Sequence, residues 1–245
     1  MFFLMTGVCL TLTTNINAQD STRSSALAFN IGLNTTYNKD KFQSPYTYSG
    51  TNLLINSTFT RSQAKGQHRI DLTYSGGHIK SIVSPEANTT LLLLSYDYLL
   101  NLRSKKSDRK FMPSLGMGLH TLLSNVNYLP KIESPVNYLS GCAYLTLSGN
   151  ASYIFSNKSR VTIQGALPFF GLVYRPDFEI NGKTLTKTAF WAKGNLFNVK
   201  LEYEYTLTPK LNITATYQYS YFTYDEPRPV TILQNGFLIG LKRTF

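Results

Sequence analysis

Hydrophobicity in this chain repeats every second residue, over runs too long and too regular for a helix to explain. Leu27, Phe29, Ile31 and Leu33 alternate with Ala28, Asn30, Gly32 and Asn34. Ile70, Leu72 and Tyr74 alternate with Arg69, Asp71, Thr73 and Ser75, and Phe197 through Tyr205 alternates with Asn198, Lys200, Glu202 and Glu204. Leu211, Ile213, Ala215, Tyr217, Tyr219 and Tyr221 alternate with Asn212, Thr214, Thr216, Gln218 and Ser220. Successive side chains of a strand point to opposite faces, so each run is a strand with one apolar and one polar face. Each has roughly the 9–11 residues with which a tilted strand crosses a bilayer. The fold class is all-β.

Ten such strands are predicted, at about 26–37, 51–61, 68–77, 90–102, 111–124, 138–154, 161–174, 195–206, 211–223 and 230–245. The connections alternate in length. Ser62–Gln67, Arg103–Lys110, Phe155–Arg160 and Leu207–Lys210 are short and polar. The stretches 38–50, 78–89, 125–137, 175–194 and 224–229 are mostly longer and richer in Pro, Gly and Asn. Short turns on one side and long loops on the other predict a single antiparallel up-and-down transmembrane barrel with both termini in the periplasm. Eight or twelve strands would satisfy the same topology. The fourth strand is the odd one, because Leu91 to Leu94 is apolar on both faces; its end is expected above the barrel or under a loop.

A soluble β-sandwich or lipocalin-like barrel shows the same alternation with the faces inverted, so the polar set must decide. Here it is Asn, Thr, Ser, Gly and Gln with few Lys or Glu, which suits a packed, hydrogen-bonded lumen rather than a solvated exterior. Only 15% of the 245 residues are charged, against about 25% in an average soluble domain. Aromatics reach 13%, as 17 Tyr, 15 Phe and one Trp. Beyond residue 18 no apolar run reaches the ~18 residues of a transmembrane helix.

Met1 to Thr14 is apolar and hydroxylic, and Asn15-Ile16-Asn17-Ala18-Gln19 offers cleavage after Ala18, so residues 1–18 read as a signal peptide and 19–245 as the barrel. The leader lacks the usual early Lys or Arg, and Ile16 stands where a small residue is customary. Of the two cysteines, Cys9 lies in the leader, with Val8 where a lipoprotein signal requires a small residue, and Cys142 is left alone. Neither a disulfide nor a Cys/His zinc site is expected, and no cofactor is implied.

The last strand places Phe237, Ile239, Leu241 and the terminal Phe245 on one parity. This resembles the C-terminal assembly signal of bacterial outer-membrane proteins, which implies recognition by the barrel-assembly machinery. Arg243 takes a slot that is usually apolar and can snorkel to the interface. The Asn17-Ala18-Gln19-Asp20 junction resembles secreted proteins of Bacteroidota. Together these residues resemble the small outer-membrane barrels of that phylum, implying an outer-membrane location and contact with its lipid.

The net charge of +11 falls unevenly on this topology. Periplasmic turns and the final strand carry nearly all the excess, with Arg103, Lys105, Lys106, Arg109 and Lys110 as its densest segment. Such a rim suits the headgroups of an anionic leaflet, or the docking of an acidic periplasmic or membrane protein. Nucleic acid is excluded as a partner by export. Within the barrel, Arg69 should face Asp97 across a hairpin, with Asp71 one inward step along and Lys200, Glu202 and Glu204 forming a second inward row. Buried charges must pair, so a salt-bridged lumen is expected; an ion or proton relay is the alternative.

Enzymatic barrels need a base within reach of a nucleophile. His68 falls at a periplasmic turn and His78 in an outer loop. His120 shares parity with Ser124, but the spacing departs from that of outer-membrane lipid A deacylases, and no acid of matching parity lies nearby on that strand. A satisfied inward histidine, and no catalytic or metal site, is the expectation. Tyr46, Tyr48, Phe178, Phe190, Trp191 and Tyr224 fall in outer loops, where aromatics stack on sugars or proteins or pack on one another. Three functions compete: a non-enzymatic accessory or scaffold subunit of an export, insertion or uptake assembly; a stand-alone small porin or ligand-binding barrel; and a lipid hydrolase.

Overall fold

The computed structural model describes residues 24–41, 44–83, 86–102, 110–128, 137–176, 184–190, 194–226 and 228–245. The signal-peptide reading of residues 1–18 lies outside them. Eleven strands are present and, among the described residues, no helix: β1 (Ser24–Asp40), β2 (Tyr48–Ser62), β3 (Gly66–Ser81), β4 (Glu86–Asn101), β5 (Phe111–Tyr128), β6 (Asn137–Ser156), β7 (Ser159–Pro176), β8 (Thr184–Phe190), β9 (Gly194–Thr208), β10 (Leu211–Tyr224) and β11 (Val230–Thr244).

All pairings are antiparallel, and β1 closes the sheet on β11 from Ala26↔Thr244 to Asp40↔Val230. Strand β7 pairs twice. Its first half, Ser159–Ala166, runs beside Tyr205–Asn198 of β9, and its second, Phe170–Pro176, beside Phe190–Thr184 of β8. Hence β8 and β9 together fill one place in the wall, and the result is a closed ten-stranded barrel. The stretch 175–194, expected as a loop throughout, therefore contributes β8 to the wall. Its period was hidden because β8 rises beyond the apolar band: Lys187 and Thr188 are exposed while Ala189 is buried, so alternation there is not written in hydrophobicity. Several strands also outrun their predicted ends, and His68 and His78 both lie on β3 rather than in a turn and a loop.

The faces fall as the uncharged polar set requires. Phe29, Ile31, Leu33, Met117, Ile239 and Leu241 point outward and are 53–57% exposed except for the 59% of Leu33. Asn30, Asn34, Asn56, Thr73, Thr214 and Thr216 point inward and are buried. The outward band is edged by aromatics. Tyr96, Tyr98, Phe111, Tyr153, Phe155, Tyr203, Tyr205 and Phe245 ring the end at which β1 begins and β11 ends, the terminal rim; Tyr37 and Tyr174 stand toward the opposite, loop rim. At the terminal rim His68 rests against Tyr98 with ring centroids 4.8 Å apart and hydrogen-bonds the Tyr96 hydroxyl. Arg243 lies over the Phe245 ring at 5.2 Å. This cation–π contact lets a charge stand in an apolar row.

Leu91 and Leu93 do not rise above the barrel. Both enter the lumen and pack with Leu122, Tyr144, Leu196 and Phe222 in an apolar cluster toward the loop rim. This resolves the two-sided apolar run in β4: Leu92 and Leu94 face outward while Leu91 and Leu93 help fill the interior.

Candidate functional site

The lumen gathers most of the chain's chemistry, in three layers. The middle layer centres on Asp71 of β3, which is 4% exposed. Its Oδ1 accepts from Lys200 Nζ at 2.6 Å and Asn56 Nδ2 at 2.9 Å; its Oδ2 accepts from Arg69 Nη2 at 3.0 Å and Thr58 Oγ1 at 2.7 Å. Strands β3 and β9 are five places apart either way round the ring, so the Lys200–Asp71 pair is a strut across the barrel's diameter. A hydrogen-bonded row continues from it around the wall: Asn56 accepts from Asn30 Nδ2, and Asn30 accepts from Thr214 Oγ1 at 2.6 Å. Thr214 reaches Asn30 across β11 because the intervening residue is Gly240, where a Cβ would meet the Phe29 carbonyl and the Asn30 amide.

Arg69 and Asp97 are register partners, as the hairpin symmetry predicts, yet they do not pair. Asp97 instead meets His120 Nε2 at 2.9 Å from β5, so the acid that strand β5 lacks is supplied by its neighbour. The Asp97–His120 pair borders a cavity of only about 20 Å³, room for a single water.

Beneath this layer Glu202 and Glu204 share Lys242 of β11, at 3.4 and 2.6 Å, and Asn212 Nδ2 donates to Glu204 Oε1 at 2.6 Å. The sequence placed both glutamates but missed Lys242 as their partner; its inward parity in the last strand was the available signal. Above lies the apolar cluster, and at the loop rim a buried clasp. Arg175 donates to Asp40 Oδ1 at 2.6 Å, to the Tyr138 hydroxyl, and to the backbone carbonyls of Glu226 and Arg228. Reading by parity alone overlooked this clasp, because 175 and 40 both sat in expected loops.

The loop aromatics divide. Tyr46 is exposed. Tyr48 and Tyr224 are not available to a partner: each is buried at the end of a strand, Tyr48 edge-on to Tyr128 at 5.3 Å and Tyr224 in the apolar cluster. Burial follows from strands that run further than their polar ends suggested, turning both side chains inward. Phe190 ends β8, whereas Phe178 and Trp191 lie outside the described residues, as do Arg103, Lys105, Lys106 and Arg109. Lys110 is exposed at the terminal rim together with Arg61, Lys65, Lys158, Lys210 and Arg243. Phe237, Ile239, Leu241 and Phe245 form one outward row at that end.

A closed ten-stranded antiparallel barrel with an apolar exterior and a mainly polar interior has the fold of bacterial outer-membrane proteins. No protein-family model matches the chain, and no curated protein matches it in sequence. Among solved structures it is similar to the outer membrane protease OmpT from Escherichia coli, at 10% identity and a TM-score of 0.54, covering 95% of this chain and 99% of that one. It is also similar to the translocator domain of the autotransporter NalP from Neisseria meningitidis, at 10% identity and a TM-score of 0.51, covering 93% and 90%. At such identities the likeness is one of fold.

Proposed function

We propose that this protein is a non-enzymatic outer-membrane barrel with a sealed lumen, its termini in the periplasm, serving as an accessory or scaffold subunit of an outer-membrane assembly. The blockage of the lumen in its middle and upper layers carries this reading. A solute would have to cross the Lys200–Asp71 strut and then the apolar cluster of Leu91, Leu93, Leu122 and Tyr144. Barrels of about this strand number are commonly filled by side chains. The outward apolar band and its aromatic edges support residence in a bilayer. Proteolysis of the OmpT kind finds little support here, because the Asp97–His120 pair faces space for one water and no substrate. A leader cleaved after Ala18, insertion through the Phe237–Phe245 row, and docking of an acidic partner on the basic segment 103–110 belong to the same reading.

Mild detergent extraction followed by native mass measurement tests the accessory role. A mass above that of the 27.6 kDa chain, with a second polypeptide present, is expected; a lone protomer overturns it. In planar bilayers no discrete conductance steps are expected, and regular steps would overturn the sealed lumen. Turnover of phospholipid or lipid A by the purified protein would overturn the non-enzymatic assignment. A ligand-binding barrel is the second reading, favoured by one observation: the lumen stays open below its ion-pair layer.

A further inference from the structure

The space under the Asp71 layer is a vestibule of about 340 Å³ that opens at the terminal rim, within the ~300–1,000 Å³ of small-molecule sites. Its wall is made of hydroxyls and amides, among them Thr58, Thr60, Ser152, Thr162 and Asn212, and its apolar lining is limited to small side chains such as Ala26, Ala28 and Pro209. Hydroxyls both donate and accept, which suits a ligand that does the same; nothing in this lining suits an acyl chain.

The charges in the vestibule are three cations against two carboxylates. Lys242 is committed to both glutamates, which leaves two guanidiniums with donors to spare. Arg69 at the floor, 7% exposed, spends an Nη2 N–H on Asp71 and leaves Nη1 uncommitted among the described residues. The carboxylate it uses is already shared with Lys200. Arg160, half-buried in the wall, makes no ion pair and no side-chain hydrogen bond among the described residues. Two guanidiniums with uncommitted donors at the edge of one cavity suit an anionic ligand. Outside, the exposed terminal rim is basic, and the carboxylates at this end of the barrel, among the described residues, are Glu202 and Glu204 within the vestibule. Such a field draws anions inward.

We infer that the vestibule is a binding site for a small hydroxylated carboxylate, an acidic sugar by chemical class. The uncommitted Nη1 of Arg69 donates to the carboxylate, Arg160 adds a second cation, and the Ser/Thr/Asn wall takes the hydroxyls. The site stands whether or not the barrel has a protein partner, so its failure leaves the assembly reading untouched.

The test is calorimetric titration of the folded full-length protein in detergent with galacturonate, galactose and acetate. Galacturonate should bind, with galactose and acetate each at least tenfold weaker. Arg69→Gln keeps the Lys200–Asp71 strut and should weaken galacturonate at least tenfold. Ser152→Trp, whose register partners are Met112 and Thr162 rather than any residue of the ion-pair layer, fills the vestibule and should abolish binding, and it decides the matter if Arg69→Gln does not refold. No binding by the parent protein, equal binding of galactose or acetate, or unchanged affinity in either folded variant overturns the site.

Discussion

Asp71 is the residue on which the interior depends. It is buried, carries one charge and accepts from two cations, two hydroxyls and an amide on three different strands. Removing one partner of a buried ionic group costs about 3–5 kcal/mol, because the survivors are left uncompensated. Asp71→Asn is therefore expected to lower the unfolding free energy of the barrel in lipid vesicles, read by urea titration, by that order. Asp71→Asn combined with Lys200→Met should lose less than the single substitution, since one stranded cation is gone; a double variant less stable than the single contradicts the strut. The parity of β3 and β9 was enough to aim Arg69, Asp71 and Lys200 inward. Parity could not say that Lys200 spans the diameter to Asp71 rather than pairing with Glu202 on its own strand, because reach across a barrel depends on where each strand stands in the ring.

At the scale of elements, closure by β1 and β11 depends on a gap. Gly240 leaves room for Thr214 to reach Asn30, and any side chain there meets the Phe29 carbonyl and the Asn30 amide. Gly240→Val should therefore impair closure, read as loss of the heat-modifiable folded band in cold gel electrophoresis, while Ile239→Val on the outward face leaves that band intact. Strand β6 offers the opposite test. Leu145 faces outward in its middle and is 42% exposed, so Leu145→Arg should cost about 2–4 kcal/mol in vesicles, as a charge placed near the bilayer midplane does, and much less in a detergent micelle. Most of the strands were legible because each carries an apolar face against lipid. β8 was not, since it continues the wall where the exterior bears Lys187 and Thr188. In β4 the apolar pattern was read correctly but misplaced: four consecutive leucines serve two environments, lipid outside and the apolar cluster inside.

The whole molecule is polar in the electrical sense, with Arg61, Lys65, Lys110, Lys158, Lys210 and Arg243 exposed at one end. At an anionic surface each such charge contributes about 1 kcal/mol. Changing Arg61, Lys65, Lys158 and Lys210 to Gln should erode the extra stability that phosphatidylglycerol vesicles confer over phosphatidylcholine by that amount per charge, and added salt should shrink the difference further. An unchanged difference between the two lipids would remove the rim from the headgroup region. The alternation of side chains determined, without any structure, that the chain is all-β, where most strands run and that each has one polar face; the uncharged polar set and the short and long connections then pointed to an up-and-down barrel. Those properties are local: a strand's two faces are written in residues two apart, and the lipid outside enforces the pattern over every turn. What only the tertiary structure decided is what the inward residues do to one another. Asp97 meets His120 instead of Arg69, Lys242 holds the glutamates, Arg175 clasps the loop rim, and the lumen is sealed in its upper half and open below. These are contacts between strands far apart in sequence, and they follow from barrel radius and stagger, which no local spacing encodes.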